Sequence, residues 1–202
     1  MSALQVQQLN GIGVAPTSTG LLVSNSVNMV NRTVFNYPGR MVQMQNVRYD
    51  GFTSYYARNS GNGTTIGALS LPFTPVYSNS LLIMEWFIYF EMQHDAVFVI
   101  HRNDELITDS GYQGYNNVQG NQRWSGFCPV PYDGDENSTP QQVYICYAVP
   151  ANDTNYRRYA PAIRTADGND NRPFYLNRTF AVTTSTDYEM GVSFGTIMEI
   201  AQ

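Results

Sequence analysis

The chain has 202 residues, 43% of them hydrophobic, which suits one domain with an appendage, the simpler reading, or two small domains, with a core that needs no metal or disulfide staples. Charged residues make up only 13%, against about a quarter in ordinary soluble domains, so the surface is polar but weakly charged. Net charge is −5 and all eleven basic residues are arginines without a basic run, which argues against a nucleic-acid partner.

Residues 1–38 stand apart. They hold a single charge, Arg32, and scattered apolar side chains (Leu4, Val6, Leu9, Ile12, Leu21, Leu22, Val27, Val34, Phe35) with no sustained period of two or 3.6. A stretch this apolar is not a typical disordered tail, so it is expected to lie against its own domain or a partner. The opening MSALQVQQLNGIGV has neither a basic segment nor a continuous apolar one, and no secretory signal is expected. Five Asn-x-Ser/Thr sites, at Asn31, Asn62, Asn137, Asn152 and Asn177, therefore carry no weight. Gly11-Ile12-Gly13 lacks a third glycine and a preceding strand, which removes a phosphate-binding reading.

From residue 39 onward, β-rich runs alternate with turn signals. Strands are expected over 40–49 and 64–73, with SGNG at 60–63 as a turn. The most apolar run, NSLLIMEWFIYFEMQ at 79–93, is too short for a membrane span of about 20 residues and carries Glu85 and Glu91. On a helix those glutamates would lie about 240° apart, leaving no polar stripe. On a strand over 81–92 they share a face. Leu82, Met84, Trp86, Ile88, Phe90 and Met92 then form one wholly apolar face, and Leu81, Ile83, Glu85, Phe87, Tyr89 and Glu91 a mixed one. The mixed face is too apolar for free solvation and predicts contact with another sheet or subunit.

Further strands are expected over 96–102, 104–108, 142–149, 178–184 and 191–200, separated by turns at 102–104, 133–140 and 167–171. His94 and His101 would fall on opposite faces of one uninterrupted strand, so a shared metal would need a turn between them. The acidic turns at 133–137 and 167–171 lack calcium-loop spacing. Cys128 and Cys146 are too few for a disulfide framework and are expected as buried thiols. In the last strand, Val192, Phe194, Met198 and Ile200 are expected to face the core of a central strand.

About eight strands, explicit turns and no amphipathic helix longer than two turns predict an all-β antiparallel sandwich or jelly roll. No chemistry stands out. There is no G-x-S-x-G elbow, and Glu85 and Glu91 would be about 20 Å apart on one strand, too far for a glycosidase pair. No cofactor, metal or catalytic residue is assigned, and the chain is read as a non-enzyme. Its aromatics, among them Tyr115, Trp124 and the YRRY run from Tyr156 to Tyr159, point collectively toward binding.

The segments Gly39–Gln43, Leu71–Pro75 running into Ser78–Ile83, Phe98–Asp104 and Thr196–Ile200 resemble a jelly-roll module of tailed-bacteriophage virion proteins. That module occurs in capsid decoration (cement) proteins and in tail or head fibres, particularly of cyanophages, and is similar in architecture to C1q and TNF trimerisation domains. The resemblance spans residues 39–202. It implies a homotrimer whose mixed faces, including Phe87 and Tyr89, meet near a threefold axis.

It further implies a decoration protein on the capsid exterior, bound to the major capsid protein by an extended docking arm over 1–38. The arm would engage through Leu4, Val6, Leu9, Leu21, Leu22, Val27, Val34 and Phe35, with no membrane contact. The alternative is a fibre protein recognising a host glycan through loops 109–124 and 152–172, whose exposed contacts would be Tyr115, Trp124, Tyr156 and Tyr159. A polysaccharide hydrolase is a third class, without positive support in the sequence.

Overall fold

In a computed structural model, the described residues are 38–59, 62–93, 96–107, 126–128, 140–165, 171–183 and 189–202, together with the backbone of 8–9, 12–17 and 20–23. The fold is an antiparallel jelly-roll β-sandwich.

In the N-terminal segment, β1 (Gln8–Leu9), β2 (Ile12–Thr17) and β3 (Gly20–Val23) form an antiparallel sheet of their own. The segment expected as an extended arm thus doubles back twice here. Leu9 lies in β1, and Leu21 and Leu22 in β3. Leu4, Val6, Val27, Val34 and Phe35 fall outside the described residues.

The larger sheet is organised around β8 (Leu81–Glu91). Along one edge it pairs with β11 (Gln141–Pro150), from Leu81 to Phe90. Along the other it pairs first with β14 (Ser193–Ile200), from Leu81 to Phe87, and then with β13 (Arg172–Leu176), at Phe90 and Glu91. β14 and β13 therefore lie end to end beside β8. Outside them, β4 (Met41–Tyr49) pairs with β14 and β5 (Thr53–Ala57) with β13.

The second sheet runs β10 (Glu105–Leu106), β9 (Ala96–Arg102), β12 (Arg157–Thr165), with β6 (Thr64–Thr65) and β7 (Leu71–Phe73) sharing the far edge of β12. Asn103 and Asp104 carry positive φ in the two-residue turn from β9 to β10, where both residue types tolerate that conformation.

The even positions of β8, from Leu82 to Phe90, and Met92 beyond it are all fully buried, as their alternation requires. The sheets meet through Phe90, Phe98 and Phe174: Phe90 stacks on Phe174 with centroids 5.2 Å apart, and Phe98 meets both rings edge-on. Trp86 donates its indole N–H to the Leu69 carbonyl oxygen at 3.1 Å. That contact depends on a correction to the expected strand over 64–73. The run is broken by a 3-10 turn, Gly67–Leu69, which carries Ile66 and Leu69 into the core. Likewise, in the strand expected over 178–184 the described residues form a 3-10 turn, Phe180–Thr183, after a single bridge at Arg178, and of the strand expected over 104–108 the described residues form strand at Glu105–Leu106 alone.

Strands β5, β12 and β13 were not legible in the sequence. β12, RRYAPAIRT, holds three arginines and Pro161 yet is buried from Tyr159 to Thr165. Proline in a central strand normally loses a ladder bond. Here the Pro161 carbonyl accepts from Ile66 N–H, so its nitrogen also faces the far edge, where β6 has ended and β7 has not begun. No donor is missed. Tyr159, expected on an exposed loop, is 1% exposed because it lies within this strand.

The joint where β4 gives way to β5, and β13 to β14, is held by two buried polar side chains. Asn177, at φ 62°, donates through Nδ2 to the Tyr49 and Gly51 carbonyls at 2.7 and 2.8 Å. Its Oδ1 accepts from the Ser193 hydroxyl at 2.6 Å, and Ser193 Oγ accepts from Tyr89 N–H at 2.9 Å. This burial also removes Asn177 as a glycan acceptor in the folded chain.

Gly195 lies opposite Trp86, and a Cβ there would come within 2.3 Å of the indole. Gly195→Ala is therefore expected to destabilise the domain by about 1–3 kcal/mol, read as a lower urea midpoint with unchanged slope.

Candidate functional site

The outward face of the larger sheet is built from the residues that alternate with its core. From β8 come Leu81, Ile83, Glu85, Phe87 and Tyr89, half-buried, as the sequence pattern predicts, whereas Glu91, expected on the same face, is fully buried. β14 reverses its expectation. Ser193, Gly195, Ile197 and Glu199 are its buried positions, whereas Val192 and Phe194 are 38% and 49% exposed, and Met198 and Ile200 half-buried. The more apolar face of this central strand points away from its own core. Only a tertiary reason allows that: Ser193 and Glu199 have polar partners inside, and Gly195 leaves room for Trp86.

Register sorts the outward side chains into cross-strand rows over β4, β14, β8 and β11. One row is Met44, Met198, Ile83 and Ala148; the next is Asn46, Thr196, Glu85 and Cys146; the third is Arg48, Phe194, Phe87 and Tyr144. In the aromatic row Phe87 and Phe194 stack with centroids 5.4 Å apart and planes 14° from parallel. Met44, Phe194 and Tyr144 are each about half exposed. Tyr89 packs flat over Gly191, where a Cβ would meet its ring at 2.2 Å. Burial raises its phenol pKa, with the Glu189 and Glu91 carboxylates adding to the rise.

Tyr144 donates its hydroxyl to Glu85 Oε1 at 2.5 Å, a bond that pushes the phenol up to about 12. Cys146 projects beside this pair. It and Cys128 form no disulfide and are exposed, not buried thiols as expected; for Cys146 the reason is that the alternate positions Val143 and Ile145 take the core side of β11. Of the predicted interface residues, Phe87 and Tyr89 both lie on this face. Phe194, Tyr144, Met44 and Met198 were missed. The alternation of β14 held a signal for two of them, but it was read as pointing inward.

One end of the sandwich gathers the root of the N-terminal segment, loops 74–80 and 151–156, and the turn at Asn103–Asp104. Gly39 N–H donates to Ala201 O at 2.8 Å, and Ala151 N–H to Ser80 O at 2.9 Å. Asp104 pairs with Arg158, and Asp153 with Arg157. Tyr156, 66% exposed, stands in this group. Thr165, at the other end of β12, is about 30 Å from Arg157, so the described residues of the expected 152–172 receptor surface do not gather at one end. Tyr115, Trp124 and His94 lie outside the described residues.

Glu199 closes the same end. Its buried carboxylate accepts from Val76 N–H and Tyr77 N–H at 2.9 Å and from Gln43 Nε2 at 2.6 Å. Ser80 Oγ lies 2.8 Å from both this carboxylate and the Tyr77 carbonyl, and its one proton serves them alternately. Burial alone would raise the carboxyl pKa, but the donors outweigh it and hold it below the ordinary glutamate value.

His101 is equally committed. Its Nε2 lies 2.7 Å from the Asn62 carbonyl, so this nitrogen carries the proton, and Nδ1 lies 2.9 Å from Thr65 Oγ1, whose one proton is shared between Nδ1 and Asp104 Oδ1 at 3.0 Å. Burial lowers its pKa, and its two nitrogens engage Asn62 and Thr65 and so hold that segment to β9. Among the described residues, no cluster of His, Cys, Asp and Glu suits a metal ion.

No known protein family and no curated protein matches the sequence. Among solved structures, the chain is similar to the Eiger TNF of S. frugiperda, at 12% identity over 82% of this chain and 95% of that one, with a TM-score of 0.40. It is also similar to the infectious bursal disease virus Gx strain structure, at 11% identity, TM-score 0.33, over 82% of this chain and 38% of that one. The VP2 subviral particle of infectious bursal disease virus matches at 11% identity, TM-score 0.34, over 95% of this chain and 43% of that one.

Glu199 gives an acid-stability prediction. Because its folded pKa lies below the unfolded value, its contribution is complete above about pH 4.3 and is lost as pH falls through the folded value. Glu199→Gln should cost about 2 kcal/mol at pH 7, where an amide N–H₂ faces backbone donors, and should flatten this acid limb in denaturant titrations from pH 7 to 3.

Proposed function

We propose that this chain is a non-enzymatic virion structural protein, a capsid decoration protein that forms a homotrimer through the outward face of its larger sheet. The observation that carries the oligomer is the reversed β14. A central strand that turns Val192, Phe194, Met198 and Ile200 away from its own core, beside Phe87, Ile83 and Met44, builds an apolar surface that a second copy would cover. The sheet is four strands wide here, roughly 15–20 Å, and β8 is about 35 Å long, a size suited to an interface core.

The virion assignment rests on the sequence resemblance. In this reading residues 1–38 bind the major capsid protein, and the end of the sandwich where that segment enters faces the shell. Tyr156 then belongs to the shell-facing side. Loops at the opposite end face outward, as does any host contact they make. Trimeric attachment multiplies three weak arm contacts through effective concentration.

Three experiments test this reading. Sedimentation should give a trimer, and Phe194→Asp, which sets a charge in the apolar face, should weaken assembly at least about 100-fold while the monomer still melts cooperatively. In purified particles the protein should be present at copy numbers of the same order as the major capsid protein. A ratio of a few per cent would support the fibre reading, and absence from particles would overturn both. Removing residues 1–38 should leave a folded trimer that no longer binds capsids.

A further inference from the structure

We infer that Arg48 of one copy pairs with Glu85 of the next across the assembled sheet faces, so that the oligomer closes head to tail through one repeated ion pair. The inference rests on the proposal that this face is covered by further copies of the chain. In the three cross-strand rows, Arg48 and Glu85 are the two charged side chains. They stand at different places on the face: Arg48 on β4, the last strand of its sheet among the described residues, and Glu85 near the middle on β8. Between them stands Phe194, stacked on Phe87.

Neither charge is well compensated within one chain. Arg48 lies 3.4 Å from Asp50, but both side chains are more than 65% exposed, an arrangement that contributes little in water. Glu85 accepts the Tyr144 hydroxyl at 2.5 Å, which orients the carboxylate without neutralising it and uses one of about four acceptor positions.

A second copy laid over the aromatic and aliphatic rows removes water from Glu85. A carboxylate desolvated with a phenol as its donor is strongly unfavourable unless a cation arrives with the covering surface. Within these rows that cation is Arg48, whose planar guanidinium can meet a carboxylate with two parallel N–H bonds. The positive group at one side of the face and the negative group further in are the complementary halves of a heterologous contact, and repeating it closes a ring. Asn46 and Thr196 beside Glu85 supply uncharged polar neighbours. Phe87, Phe194 and Tyr144 shield the pair on the other side.

The test is charge reversal on the full-length chain. Arg48→Glu and Glu85→Arg should each lower assembly affinity about 10- to 100-fold by sedimentation, and the double variant should recover most of that loss. Singles that assemble like the wild type, or a double variant as weak as the singles, would overturn the ion pair while leaving the oligomer intact. A wild-type chain that stays monomeric at about 100 μM would instead overturn the underlying reading. Should a reversal variant fail to melt cooperatively, the neutral set Arg48→Gln, Glu85→Gln and their double replaces it. Non-additive losses in that set uphold the pair, and additive ones overturn it.

Discussion

Strand β8 is hydrogen-bonded along both edges, and the rest of the fold is arranged around that constraint. With β11 on one side and β14 followed by β13 on the other, its backbone groups are paired along the ladders, and at the joint Tyr89 N–H donates to Ser193 Oγ while its carbonyl accepts from Asn177 N–H. Its two faces remain, and both are rich in apolar side chains. One is satisfied by the second sheet, through Phe98 and the turn that delivers Leu69 to Trp86. On the other, among the described residues, Met44, Phe194 and Tyr144 are each about half exposed.

The interior beside β8 is not uniformly apolar. Ser193, Asn177 and Glu199 are buried where β14 and its neighbours would otherwise present hydrocarbon, and each is placed against backbone groups that need a partner. Asn177 and Ser193 hold the joint at which the outer rows break from β4 to β5 and from β14 to β13. Glu199 gathers the amides of loop 74–80, which would otherwise be buried donors at the end of the sandwich. Replacing hydrocarbon by satisfied polar groups inside lets the strand turn its apolar side outward. The polar interior and the apolar exterior are thus one arrangement.

The course of the chain gives the sandwich two unlike ends. The N-terminal segment enters beside the loop that Glu199 clamps, with Tyr156 and the Arg157–Asp153 and Arg158–Asp104 pairs nearby. β12 ends at Thr165, at the far end. In the proposed reading this polarity separates attachment from exterior display, while the sheet face, at the side of the sandwich, serves assembly. Three surfaces with different chemistry then carry three different contacts.

The alternation in 81–92 was sufficient, by itself, to establish the central strand, its buried face and the mixed character of the other, because a strand's period is local and both faces were strongly patterned. Turn residues likewise marked the β9–β10 hairpin and the all-β class. What local pattern could not determine was which side of β14 faces inward, since its apolar side is attracted equally to its own core or to another copy. That choice was made by distant partners: the Asn177 amide for Ser193, the Trp86 ring for Gly195, and the amides of Val76 and Tyr77 for Glu199. The same holds for β12, whose proline and arginines read as loop until β6 and β7 leave a gap opposite Pro161. Tertiary structure decided these cases because burial of a polar group is settled by its partners, and those partners lie up to 123 residues away along the chain.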